Sequence, residues 1–369
     1  MSNDVVNVYH IAPALSEDGG GISSVVQDLM KLNLNGVRQF FYGNIGYSEY
    51  HPGSKAYFRS LSIVNIFKLY YKLIRNENSY IYIHGAWSKE FFIISIIMRL
   101  LPSRVKCIYQ PHGLLAASSF MSSGKYKKIL AIKLYQGFIV KSSYKIIANS
   151  QKERVEFLSL LLNPADSRIE IIPNGVDNSL LNSFKAEECT NPTLLFMSQI
   201  IPVKGLESII EDIHKSKVKS GKELTLDIYG YGSTTYVNSL KMKVNELGLS
   251  GQIKFKGRVE KEERSNIYSK YNMLVLPSKS ESFGLVIIEA LALGCSVLTT
   301  SATPWDSPLY TEHIQIYDPS GSESYLSLIQ FYDNNNNLSS KDRLNNHLFV
   351  CENFSWNSIV TKIEKLYTQ

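Results

Sequence analysis

The sequence predicts an α/β protein built from two doubly wound domains, each with a central parallel sheet. The length of 369 residues is the first indication, because a single compact core rarely extends over so many residues. The second is the alternation of short apolar strands with helices along the whole chain, which is typical of parallel sheets. The third is the stretch 272–300, where a buried strand, a polar loop, an apolar helix and a second strand follow in order.

The first domain is predicted to span residues 1–180 and to alternate strands with helices. Short apolar runs predict strands near residues 5–11, 38–43, 79–84, 104–110, 145–149 and 168–172. Helices are expected between them, near residues 22–34, 62–75, 87–100, 125–142 and 151–162. Because helices separate the strands, the sheet is expected to be parallel.

The second domain is predicted to span residues 190–352, after a polar stretch, 182–191, that is typical of a linker. The chain then ends in a predicted helix, 355–369, with Ile359, Ile363 and Leu366 on one face. Such an apolar face indicates packing against another element. The strands of this domain are expected near residues 193–197, 224–229, 252–256, 272–276, 295–300 and 313–317.

Positive charge is concentrated in the first domain, where residues 55–152 contain 16 basic and two acidic residues, a net charge of +14. Two interpretations remain open: a solvated basic surface, or a surface that rests on anionic lipid headgroups. No nucleic-acid-binding module is recognised, so nucleic acid is not an expected partner. The four scattered cysteines predict reduced thiols in a cytosolic protein, and the longest apolar run, 91–98, is too short to span a bilayer.

Two carboxylates stand out within the stretch 272–300. Glu289 is the only charged residue between positions 282 and 298, and a buried carboxylate is costly unless a partner compensates it. Glu281 lies eight residues earlier, in the loop that opens the same helix. The backbone amides of Phe283, Gly284 and Leu285 are then free donors at the positive end of the helix. Carboxylates beside such a helix start suggest a ligand with both hydroxyls and phosphate, and a nucleotide sugar fits.

This Glu-x7-Glu arrangement, with Phe-Gly after the first Glu and Glu-Ala after the second, resembles the retaining glycosyltransferases of family 4. Four further segments resemble the family in order and spacing: 171–177, 194–206, 226–232 and 253–257. The resemblance implies the GT-B fold, in which two Rossmann-like domains face a central cleft and the C-terminal helix crosses back to the first domain. It also implies that the first domain binds the acceptor and the second the nucleotide sugar.

Most candidate site residues follow from this resemblance. It implies catalytic roles for His112, Lys204 and Glu281, with Lys204 reaching the donor diphosphate and His112 lying near the donor sugar. Glu289 should accept hydrogen bonds from the ribose hydroxyls. Together the residues expected to bind the donor are Gly20, Gly21, Gln199, Lys204, Gly230, Glu281, Phe283, Gly284, Leu285 and Glu289.

The acceptor side is predicted from the first domain. Gly19 belongs to a glycine-rich loop, 18–21, that follows the first strand; the motif alone is weak, and a flexible turn is the alternative. His84 and Trp87 follow another strand and are expected to line the acceptor site. His10 lies inside the first strand, so a structural core histidine is the favoured interpretation.

One position departs from the family pattern. Gln199 stands where the family usually carries arginine, and a neutral amide replaces a bidentate cation there. Either another basic side chain takes the place of this arginine, with Arg258 and the lysines of the cluster 125–128 as candidates, or the protein binds the diphosphate more weakly. A non-catalytic nucleotide-sugar-binding protein therefore remains an alternative.

The expected activity is retaining, metal-independent transfer of a hexose from a UDP- or GDP-sugar. No Asp-x-Asp motif is present, and no cofactor is expected. The resemblance implies a saccharide or undecaprenyl-diphosphate-linked acceptor. Residues 303–305 resemble a Thr-Pro-Trp variant of some polysaccharide-assembly members, which implies assembly of bacterial O-antigen, capsule or exopolysaccharide at the inner face of the plasma membrane. An epimerase and a phosphorylase of the same fold remain alternatives. An NAD-dependent oxidoreductase is disfavoured because the first strand lacks G-x-G-x-x-G.

Overall fold

The computed structural model describes residues 5–13, 20–43, 57–76, 78–115, 125–160 and 166–368. The chain divides into two compact units. The first comprises residues 1–175 together with 359–369, and the second comprises residues 176–358. Each unit is built around one parallel sheet.

The sheet of the first unit has the strand order β3-β2-β1-β4-β5-β6-β7, and all neighbouring strands are parallel. Its strands are β1 (Val6–Ala12), β2 (Val37–Gly43), β3 (Tyr57–Ser60), β4 (Ser79–His84), β5 (Lys106–Gln110), β6 (Lys145–Ala148) and β7 (Ile169–Ile171). The helices that connect them are Gly20–Lys31, Ile63–Arg75, Glu90–Leu100, Lys125–Ala131, Gly137–Ser142 and Gln151–Leu160.

The sheet of the second unit has the order β10-β9-β8-β11-β12-β13 and is also parallel. Its strands are β8 (Leu194–Met197), β9 (Leu226–Tyr229), β10 (Ile253–Gly257), β11 (Met273–Leu276), β12 (Ser296–Thr299) and β13 (Ile314–Ile316). The α-helices are Asn178–Asn182, Leu206–Ser220, Thr234–Glu246, Arg264–Tyr268, Leu285–Ala292, Ser324–Asn335, Ser340–Phe354 and Trp356–Thr368, the last of which runs into the first unit.

Both sheets reverse their strand order at one point. In the first unit the reversal lies between β1 and β4, and in the second between β8 and β11. The loops that leave the carboxyl ends of two such strands diverge to opposite faces of the sheet, which opens a crevice where ligands of doubly wound proteins bind. The predicted doubly wound, parallel architecture is therefore confirmed, and it marks one crevice in each unit.

The core of the second unit explains its near-continuous apolar segments. All four residues of β11 and all four of β12 are buried, as expected for strands covered by helices on both faces. The helix Leu285–Ala292 buries Ile287, Ile288 and Leu291 and packs on the helix Ser340–Phe354. Each such side chain contributes about 1.5–3 kcal/mol by leaving water, so this apolar helix holds a fixed position beside the crevice.

The structure differs from the sequence-based expectation in three places. β3 was not predicted; it is a four-residue strand at the sheet edge. The predicted helix 125–142 contains a π-helical segment, Ile132–Gln136, which leads into Gly137. The polar stretch 182–191 is fixed to the second unit, because Nδ2 of Asn272 donates to the carbonyl of Cys189 at 2.6 Å.

The C-terminal helix returns the chain to the first unit. Ile359, Ile363 and Leu366 are buried, as their spacing predicted. The ring of Tyr367 meets the ring of Tyr80 on β4 edge to face, with 5.3 Å between centroids. This confirms the expected crossing back of the last helix. Among the residues that the structure describes, no helix is both long and apolar enough to cross a membrane.

Candidate active site

The crevice of the second unit contains an ion pair between two predicted site residues. Lys204 ends a short 3-10 turn, Pro202–Lys204, that follows β8, and Glu281 lies in the loop that follows β11. Nζ of Lys204 donates to Oε2 of Glu281, and both side chains are largely buried, with 16% and 13% of their surface exposed. The fold thus brings together a cation and a carboxylate that are 77 residues apart.

Glycines let the surrounding loops approach one another. Gly205 has a φ of +72°, and a Cβ atom there would lie 2.1 Å from the carbonyl oxygen of Pro277. Gly230 has a φ of +148°, and its Cβ would lie 1.8 Å from the carbonyl oxygen of Ser198. No side chain fits at these distances. Gly230 therefore has a packing role, and its predicted contact with the donor stays a prediction.

The loop between β11 and the helix Leu285–Ala292 has backbone donors at its end. Gly284 caps the helix with a φ of +81°. The amides of Phe283, Gly284 and Leu285 donate no hydrogen bond to another described residue. The side chain of Phe283 is buried, and its carbonyl accepts a hydrogen bond from Nε1 of Trp305 at 2.5 Å. Trp305 thus holds the loop in place, and Phe283 contributes its backbone rather than its ring to the crevice.

Glu289 has two partners that the sequence did not identify. Nη1 of Arg264 donates to its Oε1 at 3.0 Å, and the hydroxyl of Tyr268 donates to its Oε2 at 3.0 Å. The carboxylate of Glu289 raises the pKa of Arg264, while burial first and then Glu289 raise the pKa of Tyr268 well above its usual value. The only charge on this helix is therefore compensated, and each carboxylate oxygen keeps capacity for another donor.

Gln199 lies on the exposed side of the crevice, beside a tyrosine and an arginine. Its Nε2 donates to the hydroxyl of Tyr231 at 3.2 Å. The guanidinium of Arg258 lies over the ring of the same tyrosine, 5.0 Å from its centroid, and Nε of Arg258 contacts Glu260 at 3.0 Å. Of the two bases proposed to replace the missing arginine, Arg258 thus shares a neighbour with Gln199.

In the first unit, the predicted histidines form a hydrogen-bonded chain. Nδ1 of His10 lies 3.0 Å from Nε2 of His84, and Nδ1 of His84 lies 3.1 Å from Nε2 of His112. Burial lowers the pKa of His10 and of His112 to about 3, and that of His84 well below its usual value. All three rings are therefore neutral at physiological pH. His10 is a core histidine, as favoured from the sequence, but it contacts a predicted site residue.

The turns after β4 and β5 are strained. His112 has a φ of +52° and Trp87 a φ of +67°, values that non-glycine residues adopt at a cost of about 1–3 kcal/mol. Two contacts hold these turns: Nε1 of Trp87 donates to the carbonyl of Leu114 at 2.8 Å, and Oε1 of the buried Glu153 accepts from the amide of Gly113 at 2.5 Å. Backbone strain at the end of two central strands is typical of functional sites.

A cavity of about 180 Å³ lies at this edge of the first sheet. It is mostly apolar and reaches His84. Gly85, Ala86 and Ser88 form part of its wall, whereas Trp87 does not line it. The helix that begins at Gly20 and continues through Gly21 contributes Ile22 to the same wall. Gly19 lies outside the described residues, so its predicted place beside the acceptor is a prediction only. Of the cluster 125–128, Tyr126 and Lys127 are exposed, and Lys128 approaches the ring of Trp87 at 6.0 Å.

Sequence patterns missed the residues that support the site. Arg264 and Tyr268 lie on a short helix before β11, and Glu153 lies on the helix after β6; neither spacing nor motif connects them to their partners. The sequence contained one indication of such a partner. Glu289 is an isolated charge in an apolar helix, so it required a compensating group, but the sequence did not show which residue supplies it. In the part of the chain that the structure describes, no three His, Cys, Asp or Glu side chains are grouped to hold a metal ion.

Comparison with known proteins agrees with this architecture. A family model described as Glycosyltransferase Family 4 matches residues 6–180, and one described as Glycosyl transferases group 1 matches residues 181–307. The D-inositol 3-phosphate glycosyltransferase of Segniliparus rotundus is 24% identical over 232 residues, which cover 58% of this chain and 51% of that relative. The chain spans about half the length of the first curated relatives it matches, or less.

Two of the solved structures that match nearly the whole chain illustrate this similarity. Sucrose-phosphate synthase from Thermosynechococcus elongatus has a TM-score of 0.75 and 16% identity, and the match covers 99% of this chain and 98% of that one. Anabaena HepE in complex with UDP and glucose has a TM-score of 0.72 and 16% identity, with 98% and 99% covered. At such identities the similarity shows the fold alone. The chain therefore combines a segment that matches the Glycosyltransferase Family 4 model with a segment that matches the Glycosyl transferases group 1 model, and it has the GT-B fold.

Proposed function

We propose that this protein is a retaining glycosyltransferase that moves a hexose from a UDP- or GDP-sugar to a saccharide acceptor without a bound metal. The observation that carries the proposal is the crevice of the second unit, where Lys204, Glu281 and the open amides of 283–285 meet at the strand-order reversal. A cation and helix amides suit a diphosphate, and a carboxylate suits sugar hydroxyls. HepE, which was solved with UDP and glucose, supports the choice of nucleotide sugar.

Each residue has a defined task in this proposal. Lys204 and the amides stabilise the negative charge that develops on the leaving diphosphate. Glu281 accepts hydrogen bonds from the donor sugar, so its ion pair with Lys204 must open or be shared when the donor binds. Glu289, held by Arg264 and Tyr268, accepts from the ribose hydroxyls. The departing phosphate takes the acceptor proton on the face that it leaves, so the anomeric configuration is retained.

The missing arginine at position 199 need not abolish activity. Arg258 lies on Tyr231, the tyrosine that Gln199 contacts, and its side chain is 42% exposed. The ion pair of this guanidinium with Glu260 lies at the surface, where such pairs contribute little, so this pair does not hold Arg258 away from a bound diphosphate. We infer that Arg258 supplies the second cation, which favours a catalytic protein over a binding protein without activity.

The acceptor is proposed to be lipid-linked, as in assembly of a bacterial surface polysaccharide. The helix Ile63–Arg75 supports this proposal because it is apolar on both faces: Ile66, Leu69 and Leu73 are buried, while Ile63, Val64, Phe67 and Tyr71 are exposed. Lys68 and Arg75 are exposed on the same helix. Exposed apolar residues flanked by basic ones are typical of a surface that binds anionic lipid, so we propose peripheral attachment to the inner face of the plasma membrane.

Product analysis tests the proposal. The protein is incubated in EDTA with UDP- and GDP-hexoses and with two acceptor classes, undecaprenyl-diphosphate-linked saccharides and soluble sugar or inositol phosphates. A new glycosidic bond with the donor's anomeric configuration, determined by NMR, is the expected result. Inversion of the configuration or a strict requirement for a divalent metal would contradict the proposed mechanism. Transfer to the soluble acceptors alone would contradict the lipid-linked assignment.

A further inference from the structure

The turn 111–114, which follows β5, is held at its middle by a buried carboxylate. A backbone hydrogen bond of 3.2 Å between its first and last residues closes the turn. Its central residues, His112 and Gly113, have φ values of +52° and +78°, the signs that a type I′ turn requires. The peptide between them directs its N–H at Oε1 of Glu153, 2.5 Å away. Because a buried N–H without an acceptor is costly, Glu153 selects this orientation of the peptide.

Glu153 also joins this turn to the end of β6. Its Oε2 accepts from the amide of Asn149 at 2.6 Å, so each carboxylate oxygen binds a backbone amide of a different segment. The side chain of Asn149 in turn accepts from Nε2 of Gln110 on β5 at 2.8 Å. Only 1% of the surface of Glu153 is exposed. The carboxylate therefore connects the ends of two neighbouring strands from inside the unit.

The contacts of Glu153 fit its ionised form. A carboxylate accepts on both oxygens, whereas a protonated carboxyl turns one oxygen into a donor, and this donor would face an amide that also donates. Burial raises the pKa of Glu153 to about 7, although both amides lower it. The charge of this side chain therefore changes close to neutral pH, and with it the number of amides that the side chain binds.

The surrounding groups leave this charge uncompensated. Tyr109 on β5 and Glu156 on the same helix act on Glu153, and neither is a cation. His112 is neutral, because burial lowers its pKa to about 3. Lys145, the basic residue of β6, pairs with the acidic residue of β7. No described cation forms an ion pair with Glu153, so uptake of a proton is what neutralises this carboxylate.

We propose that the ionised side chain of Glu153 is a positioning residue for transfer, which holds the turn 111–114 in its active arrangement and releases it on protonation. A neutral side chain leaves the middle peptide of the turn without its acceptor, and this peptide then rotates. The same turn contributes Leu114 to the wall of the cavity that reaches His84, and the carbonyl of Leu114 accepts from Nε1 of Trp87. A rotated peptide therefore changes the proposed acceptor side. The role in transfer rests on the proposed function, whereas the hold on the turn does not.

NMR of the full-length protein with carbonyl-¹³C-labelled histidine and ¹⁵N-labelled glycine tests the hold on the turn. This labelling selects glycine amides that follow a histidine, and the sequence contains two, those of Gly85 and Gly113. Gly85 is an internal control, since its amide donates to the carbonyl of Gln110 at 2.8 Å, which does not titrate. We expect one of the two signals to shift with a midpoint near pH 7 in wild type but not in Glu153→Gln, while the other stays constant. Two constant signals, or a titration that persists in Glu153→Gln, would overturn the proposal whether or not the protein transfers a sugar.

The pH dependence of transfer tests the consequence for function. In wild type we expect kcat/KM to fall below about pH 7, with the same midpoint as the amide signal. Glu153→Gln replaces one acceptor oxygen by a donor, so above this pH it should be about 10-fold slower, the value of one hydrogen bond. It should also lack the step in the pH profile, with nucleotide affinity unchanged. Glu156→Gln is the matched control: it removes the other carboxylate of the helix and should keep the step, with rates within about 3-fold of wild type.

The outcomes separate this inference from the proposed function. A step that persists in Glu153→Gln, or that is lost equally in Glu156→Gln, would overturn the positioning role. An amide signal that titrates while kcat/KM stays constant would overturn the link between the turn and transfer. Absence of transfer in wild type at every pH would refute the proposed function and with it this link, but not the hold of Glu153 on the turn.

Discussion

Arg264 is predicted to compensate the buried charge of Glu289, and its removal should show how much the second unit depends on this pair. In Arg264→Met the carboxylate keeps the Tyr268 hydroxyl at 3.0 Å but loses the cation. Breaking a fully buried ion pair costs about 3–5 kcal/mol. Because 32% of the Arg264 side chain is exposed against 12% for Glu289, water partly replaces the guanidinium, and we expect a loss of about 2 kcal/mol.

Urea unfolding followed by tryptophan fluorescence measures this loss, since Trp305 and Trp356 are both in the second unit. Arg258→Met is the matched control: its side chain is 42% exposed, and its surface pair with Glu260 should contribute less than about 1 kcal/mol. In the double variant Arg264→Met with Glu289→Gln, the charge that needs compensation is absent, so we expect the double variant to be less destabilised than the sum of the single variants by about 1–2 kcal/mol. If Arg264→Met costs no more than Arg258→Met, or if the single effects add, the reasoning is refuted.

Three further predictions follow from the structure. Lys204→Met should weaken binding of the nucleoside diphosphate about 10–100-fold by loss of one charged hydrogen bond. Glu281→Gln frees Lys204 from its ion pair, so this variant should bind the nucleotide at least as tightly as wild type in calorimetry yet lose transfer. Equally weakened binding in both variants would contradict the assigned roles. Phe67→Glu should reduce co-sedimentation with anionic lipid vesicles several-fold. Val218→Glu is the control, because Val218 lies in the second unit and has the same 66% exposure, and it should leave co-sedimentation unchanged. Equal effects of the two substitutions would argue against the lipid-binding surface. Burial raises the pKa of Glu153 from 4.5 to about 7, so the folded state holds this proton more tightly than the unfolded state. The unfolding free energy of wild type relative to Glu153→Gln should therefore fall by about 3 kcal/mol between about pH 4.5 and pH 7. A difference that is constant or rises across this range would disprove the assignment.

The sequence predicted the elements that depend on local pattern. The parallel strands, the apolar helix after Gly284 and the C-terminal helix with Ile359, Ile363 and Leu366 are confirmed, because burial on both faces or on one face leaves a clear periodicity. The edge strand Tyr57–Ser60 was missed, since its sequence YFRS ends in Arg59 and Ser60 and so gives no apolar run.

The candidate site was predicted less completely. The polar residues that follow the strands were predicted mainly from the resemblance to family 4 glycosyltransferases, and the structure brings Lys204 and Glu281 together beside the strand-order reversal. Arg264 and Glu153 were not found, because their roles depend on contacts made only after folding. His10 was correctly assigned to the core, but a single sequence does not reveal that His10 and His84, 74 residues apart, share a hydrogen bond.

Calorimetric titration of the wild-type protein with UDP and with GDP, in EDTA, tests the central claim most directly. The crevice at Lys204 is proposed to bind a nucleoside diphosphate with side chains and backbone amides alone. We therefore predict saturable binding of one of the two nucleotides, at one site per chain, in the absence of divalent metal. No binding of either nucleotide at millimolar concentration would contradict the account, and binding that appears only after a divalent metal is restored would contradict the proposed metal independence.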